Sequence, residues 1–183
     1  MKKLLVPILL SALMVVSACA RPNYGEELKS DKLRLLPNVP AADMETLVQG
    51  NTDFALALYQ LLKEDDGNFF YSPYSISVAL AMTYGGAQGD TAAQMAEALL
   101  FTLEQERLHT ALNALDAALN SRGQGAKGKD DQPFSLKVVN AIWGQKDYEF
   151  LNAYLDLLAE NYGAGLRILD FAAAPEDTRK TIN

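Results

Sequence analysis

Side chains able to do chemistry are sparse in this sequence. It holds one histidine, His109, and one cysteine, Cys19. A lone imidazole with no second His or Cys makes neither a zinc site nor a nucleophile–base pair. His109, between Leu108 and Thr110, is therefore read as a surface or packing residue. Asp65-Asp66 and Asp130-Asp131 are adjacent carboxylates in turns, and such loop pairs are ordinarily solvated rather than metal-bound. No nucleophile–base constellation, phosphate loop or metal cluster is recognisable, so no catalytic residue, metal or cofactor is expected. What remains is a cluster of small hydroxyls, Ser72, Ser75 and Ser77, in a stretch that reads NFFYSPYSISVALAMTYGG from Asn68. Their simplest role is to cap and pack a buried helix.

Cys19 has a more specific context. Lys2 and Lys3 precede an apolar run from Leu4 to Val16, the pattern of an export signal over residues 1–18. The run is short for a membrane span. Val16-Ser17-Ala18-Cys19 resembles the bacterial lipobox, in which the Cys thiol is acylated and becomes the first residue of the mature chain. The competing reading is cleavage after Ala20, because Ala18-Cys19-Ala20 also fits a small-x-small site. The first reading makes the protein exported and lipid-anchored to a membrane on the extracytoplasmic side; the second makes it extracellular. Residues 19–42 are polar and proline-spotted and are expected to form a tether, with a segment bound through Leu33, Leu35 and Leu36 as the alternative.

The composition bounds the rest. A chain of 183 residues with 49% hydrophobic and 21% charged residues has the makeup of one globular domain. A formal net charge of -7 and no large Lys/Arg cluster argue against nucleic acid as a partner.

The elements that must position these groups follow from periodicity. Residues 47–64 have helical spacing through Phe54, Leu58, Leu61 and Leu62, with Asn51 as expected N-cap. Asn68–Ser72 reads as a short aromatic strand. Ser72 then caps a helix that has Pro73 at its first position and stops at Gly85-Gly86. Thr91 and Gln94 suggest a capping box for a helix to about Leu100, with Met95, Ala98 and Leu99 inward. Leu108, Leu112, Leu115 and Leu119 mark an amphipathic helix over 103–121. Phe134–Trp143 is the clearest strand, with Trp143 as an anchor in the core. A helix over 150–162, with Leu151, Tyr154, Leu155 and Leu158 inward, closes at Gly163. Gly165–Phe171 reads as a strand that pairs with the previous one through a helical crossover, and Pro175 opens a last helix. The class is α+β, with helices dominating a few strands.

Several of these segments resemble one family. NTDFALALY from Asn51, NFFYSPYSISVALAM from Asn68 and GAQGDT from Gly86 look like the N-terminal part of a serpin. LKVVNAIW from Leu136 resembles the second strand of that family's main sheet, and Tyr162-Gly-Ala, Asp170-Phe and Thr181-Ile-Asn183 follow in the family's order. The resemblance spans residues 43–183. It implies an incomplete serpin-like fold, the reactive loop and the remaining strands belonging to the part of a serpin that this N-terminal portion lacks.

The resemblance also implies a mechanism and partners. A serine or cysteine protease cleaves the exposed loop, which then enters the main sheet as a new strand and carries the protease with it. Ser72, Pro73, Ser75, Ser77 and Asn183 correspond to the region where the strands part, and there the hydroxyls would bond backbone groups that change partners. Some animal serpins carry a basic heparin site on the helix that holds Arg107. Here Glu104, Glu106, Asp116, Asp130 and Asp131 dilute Arg107, Arg122, Lys127 and Lys129, which does not support such a site. The alternative function is a non-inhibitory, serpin-fold binding protein at the cell surface.

Overall fold

The computed structural model describes residues 25–64, 67–122, 125–132 and 138–183. Cys19, Asp65, Asp66 and the beginning of the expected Phe134–Trp143 strand lie outside the described residues.

In chain order the elements are β1 (Glu26–Leu28), α1 (Ala41–Leu62), α2 (Pro73–Tyr84), α3 (Gly89–Leu99), α4 (Gln105–Ser121), β2 (Ile142–Gln145), α5 (Asn152–Tyr162), β3 (Leu166–Leu169) and α6 (Pro175–Ile182). The strands form one sheet in the order β1-β3-β2. β2 and β3 run parallel, with Ile142 opposite Leu166 and Gln145 opposite Leu169, so α5 is the expected crossover. β1 pairs antiparallel with the other side of β3, Leu28 opposite Leu166.

The core gathers where α1, α2, α4 and α5 meet the sheet. Ala81, Met82, Leu108, Ala111, Leu158 and Leu166 are its most deeply buried apolar residues. Leu108 and Leu112 are buried and Leu115 and Leu119 half-buried, as the spacing on α4 requires. α5 ends at Gly163 in the left-handed conformation, φ 61°, with its N–H on the Ala159 carbonyl.

Several expectations are corrected. The first helix does not begin at Asn51 but at Ala41, because good helix formers fill residues 41–49 and Pro40 at the N-cap sets the boundary. Asn51 lies inside the helix, and its buried Oδ1 has no hydrogen-bond partner. Gly50 is tolerated there because α1 passes close to another backbone: a Cβ at Gly50 would sit 2.7 Å from the Leu100 carbonyl oxygen.

Asn68–Ser72 has no regular secondary structure and pairs with no strand among the described residues. Phe69 instead stacks between Tyr59 and Tyr71, with ring centroids 5.9 and 5.8 Å away, and Phe70 is 97% exposed. α3 starts at Gly89 behind Gln88, so Thr91 is in its first turn and forms no capping box. Ala98, Leu61, Leu151 and Phe171 face solvent rather than the core. Leu151 and Phe171 lie just outside α5 and β3, and Leu61 and Ala98 sit one residue from the ends of α1 and α3.

Among the described residues, the strand expected to end at Trp143 is shorter and displaced, running Ile142–Gln145. Residues 138–141 have no ladder partner, since β3 supplies only Leu166–Leu169. Trp143 is half-buried and lies under the Arg167 guanidinium, 5.5 Å from the ring centroid, rather than inside the core.

From residue 25 the stretch read as a tether is docked on the domain. It supplies β1, and Arg34 bonds Asn113 and Asp116 on α4 at 2.8 and 2.7 Å. Farther along, buried Asp43 on α1 receives both Nε and Nη2 of Arg107 from α4, at 3.0 and 2.5 Å. That fork spends Arg107 on a structural ion pair.

Candidate functional site

The hydroxyl cluster begins where Pro73 forces the chain into α2. Ser72 sits at the N-cap with φ −113° and ψ 101°, and its Oγ accepts the Ser75 N–H at 3.3 Å. The Ser72 hydroxyl also donates to the Ser75 Oγ at 3.1 Å. Ser77 is 3% exposed, and its Oγ has no hydrogen-bond partner. The Tyr74 hydroxyl, one turn away, is also buried and without a partner. Burial, then the nearby Asp116 carboxylate, push the Tyr74 phenol well above its usual range. A buried hydroxyl left unbonded is costly, so the first two turns of α2 hold polar groups that the present packing does not satisfy.

The other end of α2 is the opposite. Gln105 of α4 donates to the Tyr84 carbonyl at 2.6 Å, and the Tyr154 hydroxyl of α5 donates to the Met82 carbonyl at 3.1 Å. The Tyr154 bond satisfies a carbonyl that a helix end leaves open, while the Tyr84 carbonyl also takes the Ala87 N–H at 2.9 Å. Burial raises the Tyr154 phenol to about 12, which keeps it a donor. Gly85 lets α5 come close: a Cβ there would meet Leu157 Cδ2 at 2.8 Å and His109 Nε2 at 3.3 Å.

His109, 1% exposed, is a packing residue of this end. Its Nδ1 lies 2.6 Å from the Tyr162 hydroxyl, and its Nε2 has no partner. Desolvation lowers its pKa to about 4, so it is neutral near pH 7.

The structure brings Ser72, Pro73, Ser75 and Ser77 together at the start of α2, which packs against β2. It does not join Asn183 to them. The Asn183 backbone N–H and Nδ2 both donate to the Arg179 carbonyl, at 3.1 and 3.0 Å, so its hydrogen bonds stay within α6. The turn into α6 is clamped by Asp170, whose Oδ1 accepts from the Ala173 N–H at 2.9 Å and from Gln145 Nε2 at 3.1 Å. Those bonds, the Ala173 one first, hold the Asp170 carboxyl below the usual range. In the other acidic pair, Asp131 takes Lys127 at 2.8 Å and Asp130 takes the Gln132 N–H at 3.2 Å. Both belong to a local turn.

Sequence reasoning missed Asn113, and it offered Leu33, Leu35 and Leu36 as what would bind the segment, whereas all three are exposed and polar contacts hold it. An Asn at an inward position of an amphipathic helix is the available signal, since a buried amide demands partners.

Comparison with known proteins gives this arrangement a family. The family model described as Serpin (serine protease inhibitor) matches residues 49–183. The leukocyte elastase inhibitor of Bos taurus is 46% identical over 142 residues, which are 76% of this chain and 35% of that protein. The Homo sapiens protein of the same name is 42% identical over the same shares of each chain. A solved structure of cleaved kallistatin complexed with heparin aligns with a TM-score of 0.60 and 25% identity, covering 76% of this chain and 40% of that one. The chain thus spans 35% of the length of the curated relatives it matches. With the family model matched over residues 49–183 and an α+β fold shared with a serpin structure, this chain belongs to the serpin family.

Proposed function

We propose that this chain is the N-terminal part of a protein that inhibits endopeptidases of the serine type, or of the cysteine type, rather than a catalyst. In this reading the protease cleaves a reactive loop outside the chain, and the loop enters the sheet to which β2 and β3 belong. Strand insertion gains backbone hydrogen bonds and buried surface, which is the work that traps the protease.

The observation that supports it is the state of α2. The helix packs against β2, and its first two turns hold two buried hydroxyls with no partner, those of Tyr74 and Ser77. Its C-terminal end is held by Gln105 and Tyr154. A helix fixed at one end, with unsatisfied hydroxyls at the other, suits a sheet that shifts over it. Relatives named leukocyte elastase inhibitor support the same class of target. We read Cys19 as the lipid anchor of an exported protein, with residues 1–18 as its signal.

The test uses the longest natural protein that carries this chain. Incubation with elastase-, chymotrypsin- and papain-like proteases is expected to give an SDS-stable, equimolar complex with one of them. Simple degradation by every protease, with no such complex, overturns the reading. Labelling with an alkyne fatty acid, lost in Cys19→Ser, checks the anchor.

A further inference from the structure

Asn113 lies in the buried stripe of α4, 1% exposed, where an unpaired amide would be expensive. Its side-chain hydrogen bonds go to the N-terminal segment and to the end of α5. Its Oδ1 accepts from Arg34 Nε at 2.8 Å, and its Nδ2 donates to the Leu35 carbonyl at 2.8 Å and the Glu160 carbonyl at 3.2 Å. The same Glu160 carbonyl, in the last turn of α5 and so without a helical partner, takes the Leu35 N–H at 2.8 Å. One turn along α4, Asp116 takes Arg34 Nη2 at 2.7 Å. One turn back along α5, Asp156 takes the Ser30 hydroxyl.

The surface is shaped for this segment as well as bonded to it. A Cβ at Gly165 would meet Glu27 Cγ at 2.8 Å and the Leu28 carbonyl oxygen at 2.9 Å. A Cβ at Gly25, whose φ is +78°, would sit 2.4 Å from the Ile168 carbonyl oxygen. The segment pairs with β3 through Glu26, Glu27 and Leu28, and Leu28 packs on the core.

We propose that α4, α5 and β3 form a peptide-binding groove, occupied here in cis by residues 25–36 acting as a detachable strap. Asn113 is its reader. The groove selects an extended segment that has a small hydroxyl side chain and, four positions on, an arginine followed by a residue whose backbone can bridge to Glu160. While seated, the strap covers the edge of β3. Once released, it leaves that edge open to another strand. The assignment stands on contacts within this chain and does not depend on the inhibitor reading.

The test follows amide hydrogen exchange and tryptic cleavage of the whole chain. In the unaltered protein the Leu35 amide and residues 26–28 are expected to exchange at least about tenfold more slowly than an unstructured peptide, with Lys29 and Lys32 resistant to trypsin. Ser30→Ala with Arg34→Ala is expected to speed exchange at 166–169 by about tenfold or more while the α2 amides keep their rates. A synthetic peptide of residues 25–36, added to that variant, is expected to restore protection at 166–169; a scrambled peptide is not. Random-coil exchange of 25–36 in the unaltered protein, unchanged β3 exchange in the double variant, or equal rescue by the scrambled peptide would each overturn the assignment.

Discussion

His109 Nδ1 lies 2.6 Å from the Tyr162 hydroxyl, and this pair closes α4 onto α5 without any charge. The imidazole is buried and its pKa falls to about 4, against 6.5 when free. Because the unfolded chain takes the proton more readily, acid favours unfolding. Stability that is full above pH 6.5 is therefore expected to fall between pH 6.5 and pH 4, by about 3 kcal/mol in all. Urea titrations across that window check it. His109→Gln is expected to be less stable at pH 7.5 and to lose this part of the pH slope; an identical slope in the variant would remove His109 as the cause.

Gly144 is expected to accept no side chain. A Cβ there would lie 2.5 Å from Phe150 Cζ and 3.1 Å from Leu166 Cδ2, and Leu166 is 1% exposed. Gly144→Ala should destabilise by about 1–3 kcal/mol through overpacking. Adding Phe150→Leu, which withdraws the ring, should recover a large part of the loss in thermal melts.

Asp43 and Arg107 make a lopsided pair, the carboxylate 8% and the guanidinium 57% exposed. The hydrogen bond from Arg107 holds the Asp43 carboxyl below its ordinary 3.8. The stabilisation is present above pH 3.8 and is lost as pH falls through the lowered value. Arg107→Ala strands a buried anion and should be the more damaging change, while Asp43→Asn keeps an acceptor for the arginine. Chemical denaturation at pH 7 ranks the two; the reverse order would mean that the pair does not matter to α1–α4 packing.

Ser77 separates packing from movement. Its buried Oγ has no partner, so Ser77→Ala should leave the resting fold as stable or raise it by about 1 kcal/mol. In the longest natural protein the same change is expected to lower the yield of covalent protease complex. Ser75→Leu should lower it further by filling space beside α2. Unchanged yields in both would reduce these serines to caps and packing.

Local signals carried most of what the sequence disclosed. Ser72-Pro73 and Gly163 mark their helix ends through backbone chemistry that works in isolation, and the β2–β3 crossover follows from two apolar runs around an amphipathic helix. The failures were at residues whose environment is decided elsewhere. Asn51 has the makeup of a cap, yet the cap is Pro40, well upstream. Leu151 and Phe171 have the right type for a core and no neighbour to cover them. β1 carries two glutamates and is held by backbone pairing, so no pattern in it announces a strand. The Arg34–Asn113 bond joins residues 79 apart in the chain, and only folding shows why a polar residue sits in that stripe.

The position of β1 also sets a distance. Pairing with β3 begins at Glu26, so from Cys19 to the docked segment the chain reaches at most about 25 Å. With acyl chains on Cys19, as proposed, and Lys2 and Lys3 gone with residues 1–18, a chain of 14 basic and 23 acidic residues, net charge -9, would be moored low against the headgroups, within a few Debye lengths of them. Letting go as far as Pro40 pays out the mooring to about 70 Å. The same short strand would then govern how far from the bilayer the domain can meet its target.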